Sequence, residues 1–177
     1  MKSWMALAAL CLVTSAGAVT LQQLSMDELI GQSTAIVRGR VLTSYAEVSH
    51  GEVFTHVKVQ VSERWKGAPS DVADIVFPGG SVGRVSQSIP GVPRLLEGQE
   101  YVLYLWTNRS GLTFVTGFQQ GIFAVTPGDD GQPIVLRANT SEMMLDRSGR
   151  PVTDSPVRMR LQDMSTRVAL LSRGTTR

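Results

Sequence analysis

The sequence predicts a mainly β protein: a small closed Greek-key barrel of the OB type with five to seven strands, a short N-terminal helix and an amphipathic C-terminal helix. Three observations lead there. Short runs of β-branched and aromatic residues recur between Gly- and Pro-bearing turns, the pattern of a barrel or sandwich. The only cysteine, Cys11, lies in a leader expected to be removed, so no disulfide staples the strands and closure hides their edges. Helical periodicity governs the chain only near its two ends.

The elements follow in order. Residues 1–18 carry a lone Lys2, an apolar run from Trp4 to Val13 and the small residues Ala16-Gly17-Ala18. That is the three-part plan of a secretory signal peptide cut after Ala18. The run is too short to stay as a membrane span, and no later segment reaches ~20 apolar residues. Residues 19–136 are then the predicted barrel domain with its N-terminal helix, and residues 137–177 a loop and the C-terminal helix. Ser25-Met-Asp-Glu28 is a capping box, starting a helix that ends near Gln32 with Leu29 and Ile30 inward. Ala35–Leu42 is a strand in which Gly39 marks a bulge or a close backbone approach. Val53–Val61 alternates, with Thr55, Val57, Val59 and Val61 on one face. Val72–Phe77 is a third strand, stopped by Pro78, which cannot donate to a ladder. Tyr101–Trp106 is apolar and aromatic throughout, as a central strand should be. Leu112–Val115 and Ile122–Val125 follow, then a turn at Pro127–Gly131 and a short final strand at Ile134–Leu136. Residues 126–156 are expected to be the most mobile stretch. From Val157 the apolar positions Val157, Leu161, Met164, Val168 and Leu171 make one helix face.

Composition removes several chemistries. Without Cys11 there is no thiolate nucleophile, no thiolate metal site and no disulfide. Across the chain 17 Lys and Arg stand against 15 Asp and Glu, so no strong basic field points to nucleic acid, and export argues against it too. The Arg-rich stretch 137–177 interleaves its arginines with acids and reads as a solvated face. Gly79-Gly80-x-x-Gly83 lacks the Lys-Ser/Thr pair and helix of a phosphate loop, so no nucleotide cofactor is expected.

Two candidate sites remain. Gly79-Gly80-Ser81-Val82-Gly83 matches the G-x-S-x-G nucleophile elbow and follows a strand. The elbow also needs a helix after the serine, but two prolines and two glycines interrupt Val82–Pro93. The base is missing as well, because His50 and His56 both precede Ser81. The stretch 78–93 therefore reads as a long surface loop between strands, and the chain holds no complete catalytic constellation. His50, Glu52 and His56 share a face if extended and could hold zinc with an open fourth position. Extended spacing of ~3.4 Å per residue separates the two histidines by about 20 Å, so a turn at His50-Gly51 would have to bring them together.

Several motifs together resemble a family. They are Leu24-x-x-Asp-Glu-Leu29, Ile36-Val-Arg-Gly-Arg-Val41, Glu63-x-x-Lys-Gly67, Phe77-Pro-Gly-Gly80, Ile89-Pro-Gly-Val-Pro93, Glu97-Gly-Gln-Glu100 and Gly117-Phe-Gln-Gln-Gly121. This pattern, over residues 24–126, resembles a family of uncharacterised exported bacterial proteins. Their barrel is similar to that of tissue inhibitors of metalloproteinases and netrin-like modules. The resemblance implies the barrel fold and, by analogy, protein binding. Those inhibitors place a disulfide-held N-terminal cysteine over a protease zinc, whereas here the mature chain would begin Val19-Thr20, so no functional residue carries over.

The expected function is a non-enzymatic exported binding or envelope-associated domain, periplasmic or secreted, without cofactor or metal. Its partner is another exported protein or an envelope component, met through the loop 78–93 or the barrel mouth. The candidate residues are Ser81, Arg84, Ile89, Val92 and Arg94, held on a loop stiffened by Pro90 and Pro93. The alternatives are a protease-inhibitor-like module and a hydrolase with an unrecognised, metal-assisted site at His50, Glu52 and His56.

Overall fold

A computed structural model of the chain describes residues 20–140 and 142–174. The predicted signal peptide, 1–18, lies outside the described residues. Strand β1 (Thr20–Gln22) leads to helix α1 (Met26–Gln32). The predicted capping box starts this helix: Glu28 N–H donates to Ser25 Oγ at 3.3 Å, and Ser25 N–H donates to Glu28 Oε2 at 2.8 Å. At the other end Lys66 Nζ donates to the Ile30 carbonyl at 2.6 Å, where an orphan acceptor needs a partner.

Next come β2 (Ala35–Ser49) and β3 (Glu52–Lys66), a hairpin of two 15-residue strands closed by His50-Gly51. Both turn residues have positive φ, 52° and 83°, the twist that suits a two-residue hairpin loop. The register shifts three times along this hairpin. Gly39 lies in the shifted region, and a Cβ there would stand 2.4 Å from the Gln60 carbonyl oxygen. The strands are 15 residues each, well beyond their apolar runs, because polar residues such as Thr43 and Ser44 pair as readily as valines.

The remaining strands are β4 (Val72–Pro78), β5 (Gly80–Val82), β6 (Val85–Gln87), β7 (Glu100–Thr107), β8 (Thr113–Val115), β9 (Ile122–Pro127), β10 (Pro133–Arg137), β11 (Met143–Leu145), β12 (Pro151–Val152) and β13 (Val157–Arg160). Helix α2 (Leu161–Gly174) ends the described chain. The protein is mainly β, built on an eight-stranded sheet ordered β13-β10-β9-β7-β2-β3-β4-β8. Strand β8 pairs with β4 and also with β7. A three-stranded sheet, β1-β11-β12, and the small β5-β6 ribbon complete it.

Strand β7 organises the interior. It has sheet neighbours on both sides, and alternation sends its side chains into two cores. Val102 and Tyr104 enter one core, with Leu29, Ile36 and Phe123, roofed by Met164 and Val168 of α2. Tyr101, Leu103 and Leu105 enter the other, with Val57, Ile75 and Phe77. A strand buried on both faces has no polar side to show, which accounts for its continuous apolar run.

Three expectations need correction. The strands outnumber the five to seven expected, thirteen being present among the described residues. The final strand is β13, not Ile134–Leu136, and the stretch 126–156 holds β10, β11 and β12. Val157 belongs to β13, not to the helix: Val157-Arg-Met-Arg160 alternates with period two, its arginines reaching Asp129 and Asp130. The four-residue step from Val157 to Leu161 imitates a helical repeat across that boundary.

A buried amide, Gln120, joins the small sheet to the large one. It is 1% exposed. Leu24 N–H donates to its Oε1 at 2.8 Å, while its Nε2 donates to the Gln22 carbonyl at 3.0 Å. Among the described residues no helix is long and apolar enough to cross a membrane.

Candidate functional site

The site starts where β4 ends. After Pro78, Gly79 and Gly80 turn the chain back with φ of 87° and 139°, and a Cβ on Gly80 would stand 2.5 Å from Thr55 Oγ1. Here glycine is needed both for its positive φ and for the close approach. The β5–β6 hairpin is tied down on β3: Gly79 N–H donates to the Val53 carbonyl at 2.7 Å, and Thr55 Oγ1 donates to the Gly79 carbonyl at 2.7 Å. Val53 N–H donates in turn to Gln87 Oε1 at 2.9 Å. So 78–93 is not a simple loop. It opens with a short hairpin that three tertiary hydrogen bonds hold against β3, contacts with no local sequence signal.

After the hairpin, residues 88–96 return toward the second core. Leu95, 7% exposed, enters that core, and Leu96 N–H donates to the Tyr101 hydroxyl at 3.1 Å. Glu97 then reaches the free side of β2, where its carboxylate accepts from Ser44 N–H at 2.8 Å.

Between hairpin and return lies a half-open cavity of about 420 Å³. Its inner lining is Val57, Phe77 and Leu95, all members of the second core. Ser44, Thr55, Ser81, Ser86, Gln87 and Ser88 add hydroxyls and an amide. Among the described residues, Arg94 is its only charged lining residue.

Of the five candidates named from the sequence, Ser81, Ile89, Val92 and Arg94 line this cavity. Arg84 does not; it sits in the two-residue turn between Val82 and Val85, at the exposed tip of the hairpin. Sequence reasoning did not find the inner wall. Phe77 and Leu95 look like ordinary core residues, and only the hairpin's fold places them under an opening.

Neither catalytic alternative finds its geometry. Ser81 Oγ meets Ser86 Oγ at 2.9 Å, and no histidine approaches it: His50 Nδ1 faces Ser49 Oγ at 3.0 Å. His56 is buried, 8% exposed, on the face of β3 opposite the cavity-lining Thr55 and Val57. Its Nδ1 meets Asp74 at 3.1 Å, its Nε2 meets Glu47 at 3.3 Å, and Tyr45 stacks on the ring at 5.1 Å. Opposite nitrogens engaged by carboxylates from β4 and β2 do not converge on a shared ion. Among the described residues no three His, Cys, Asp or Glu side chains are placed to hold a metal. Lys58 completes the cluster, with Nζ 2.6 Å from Asp74 Oδ2, a hydrogen bond that raises the ammonium above its usual range.

Most motif residues behind the family resemblance serve the fold. Arg38 bonds Glu100 at 2.8 Å and also Glu63, and Trp65 Nε1 donates to Glu63 at 2.9 Å. Lys66 caps α1 and Gln120 holds the N-terminal segment. Comparison with protein-family models and with curated proteins finds no match to this chain.

Proposed function

We propose that the protein is an exported, non-enzymatic binding or envelope-associated domain that meets its partner at the cavity under the β5–β6 hairpin. The observation that carries this reading is the convergence of Ser81, Ile89, Val92 and Arg94 on one opening above the second core. The cavity sets an apolar inner wall of Val57, Phe77 and Leu95 among a larger polar lining, and concave sites where polar groups converge on apolar surface are where proteins hold ligands. The leader 1–18 supports export to the periplasm or medium, and the partner is an exported protein or an envelope component. The pairings β7-β2, β2-β3, β3-β4, β4-β8 and β8-β7 support an OB-type barrel closed around that core, with the cavity as its mouth. They also favour kinship with the exported bacterial family and its inhibitor-like barrel.

Within that kinship the cavity is the better binding edge than the N-terminus. Thr20–Gln22 is paired into a sheet with Met143–Leu145 and clamped by Gln120, so it is not free to enter a protease cleft.

The test is capture from envelope extract and culture medium by immobilised mature protein, against a variant with residues 81–92 replaced by a short Gly/Ser linker. Circular dichroism confirms that the variant is folded. The expected outcome is a partner retained by the native chain and lost by the variant. Equal capture by both moves the site elsewhere and ends the reading.

A further inference from the structure

We infer that the cavity binds a carboxylate joined to an apolar group, an end that a free acyl carboxylate shares with a peptide's C-terminal apolar residue. This rests on the binding reading above and names its ligand.

Size, lining and charge each contribute. A volume of about 420 Å³ suits a small ligand or a chain end, since such sites span ~300–1,000 Å³. The inner wall of Val57, Phe77 and Leu95, each at most 7% exposed, offers contact to an apolar group and nothing to a charge. Arg94 is exposed and has no ion-pair partner among the described residues. Of the acids near this stretch of chain, Glu97 accepts from Ser44 N–H at 2.8 Å, and Glu142 lies against Gly91 without an ion pair to Arg94. Arg94 also borders a second cavity of about 290 Å³, where Arg137 is already held by Asp154 at 2.9 Å. Arg94 is therefore the one guanidinium at this opening still open to a ligand.

A guanidinium offers paired donors that match a carboxylate, and such charge-assisted bonds are roughly twice as strong as neutral ones. A cationic ligand would be repelled by Arg94. A neutral one would leave it to water and forgo the charge-assisted bond. A ligand charged along its length would put an unpaired charge against the apolar wall, which is costly. A single anionic head with an apolar body satisfies both ends of the cavity.

The experiment is calorimetric titration of the mature chain with octanoate, octanol and octylammonium, and with N-acetyl-Ala-Ala-Leu as free acid and as amide. We expect octanoate, the peptide acid or both to bind. Octanol, octylammonium and the amide should bind at least tenfold more weakly. Arg94→Gln should cost the same tenfold without lowering the melting temperature, and Arg84→Gln at the hairpin tip should change nothing. Octanoate alone identifies an acyl source and the peptide acid alone a chain end; both results support the shared chemistry. Absence of carboxylate binding, equal binding of octanol, or an unaffected Arg94→Gln variant would overturn it. If that happens while the linker variant still loses the captured partner, the binding module stands and the ligand class falls.

Discussion

At the scale of the residue, one buried amide does more than its neighbours in the sequence suggest. Gln120 closes two backbone groups of the N-terminal segment, and leaving buried donors or acceptors unpaired costs ~1–3 kcal/mol each. Gln120→Leu should therefore destabilise the protein by about 3 kcal/mol in urea unfolding. The amide of Leu24 should also exchange faster in that variant. Glu28 makes a different prediction. Hydrogen bonds from the Ser25 side chain and backbone, then from Arg147, hold its carboxyl down at about 2 against an ordinary 4.5. A carboxyl lowered on folding stabilises above its unfolded value and loses that stabilisation as pH falls through the folded one. The stability gap between native chain and Glu28→Gln should be full at pH 6 and shrink between about 4.5 and about 2. A gap constant over that window, in urea midpoints, would rule the capping carboxylate out as its source.

At the scale of the element, the C-terminal helix shows what its apolar face buries. Met164 and Val168 are fully enclosed, while Leu171 is 38% exposed. Met164→Ala should cost roughly 2–5 kcal/mol, the usual range for a buried large-to-small change. Leu171→Ala should cost well under half of that by the same thermal or urea measurement. What was legible in the sequence was chemistry that acts over a few residues. The capping box of α1 and the run of β7 each need only their own segment, whereas β4 runs through Pro78, which pairs with Phe54, and turns at Gly79-Gly80 instead. The β5–β6 hairpin was illegible because its strands have three residues each and its ties run to Val53 and Thr55, far away in sequence. Strands β1 and β11 pair across more than a hundred residues, beyond any periodic signal. The candidate site divides the same way: its glycine- and proline-rich rim was readable, but its apolar wall was not, since Phe77 and Leu95 look like any core residue until the hairpin leaves an opening over them.

At the scale of the whole molecule, the two cores are not independent, because β7 serves both. Loss of either would expose one face of the same strand, so the protein should unfold in one step. The amides of Val102, Leu103 and Tyr104 should be the slowest to exchange, and through global opening alone. Hydrogen exchange in rising urea tests this; separate protection classes for the two cores would contradict it. The free side of β2 has a further consequence. Beyond Val41, whose backbone bonds Gln99 and Gly98, this strand pairs with β3 only, with the Glu97 carboxylate on its outer border at Ser44 and β5 lying over the face it shares with β3. An uncovered border of that length, with Tyr45 and Val48 exposed, is a template on which another chain could add a strand. The carboxylate that caps this border is then a guard against self-association as well as a tie: Glu97→Ala should raise the apparent mass in light scattering, and an unchanged mass would contradict it.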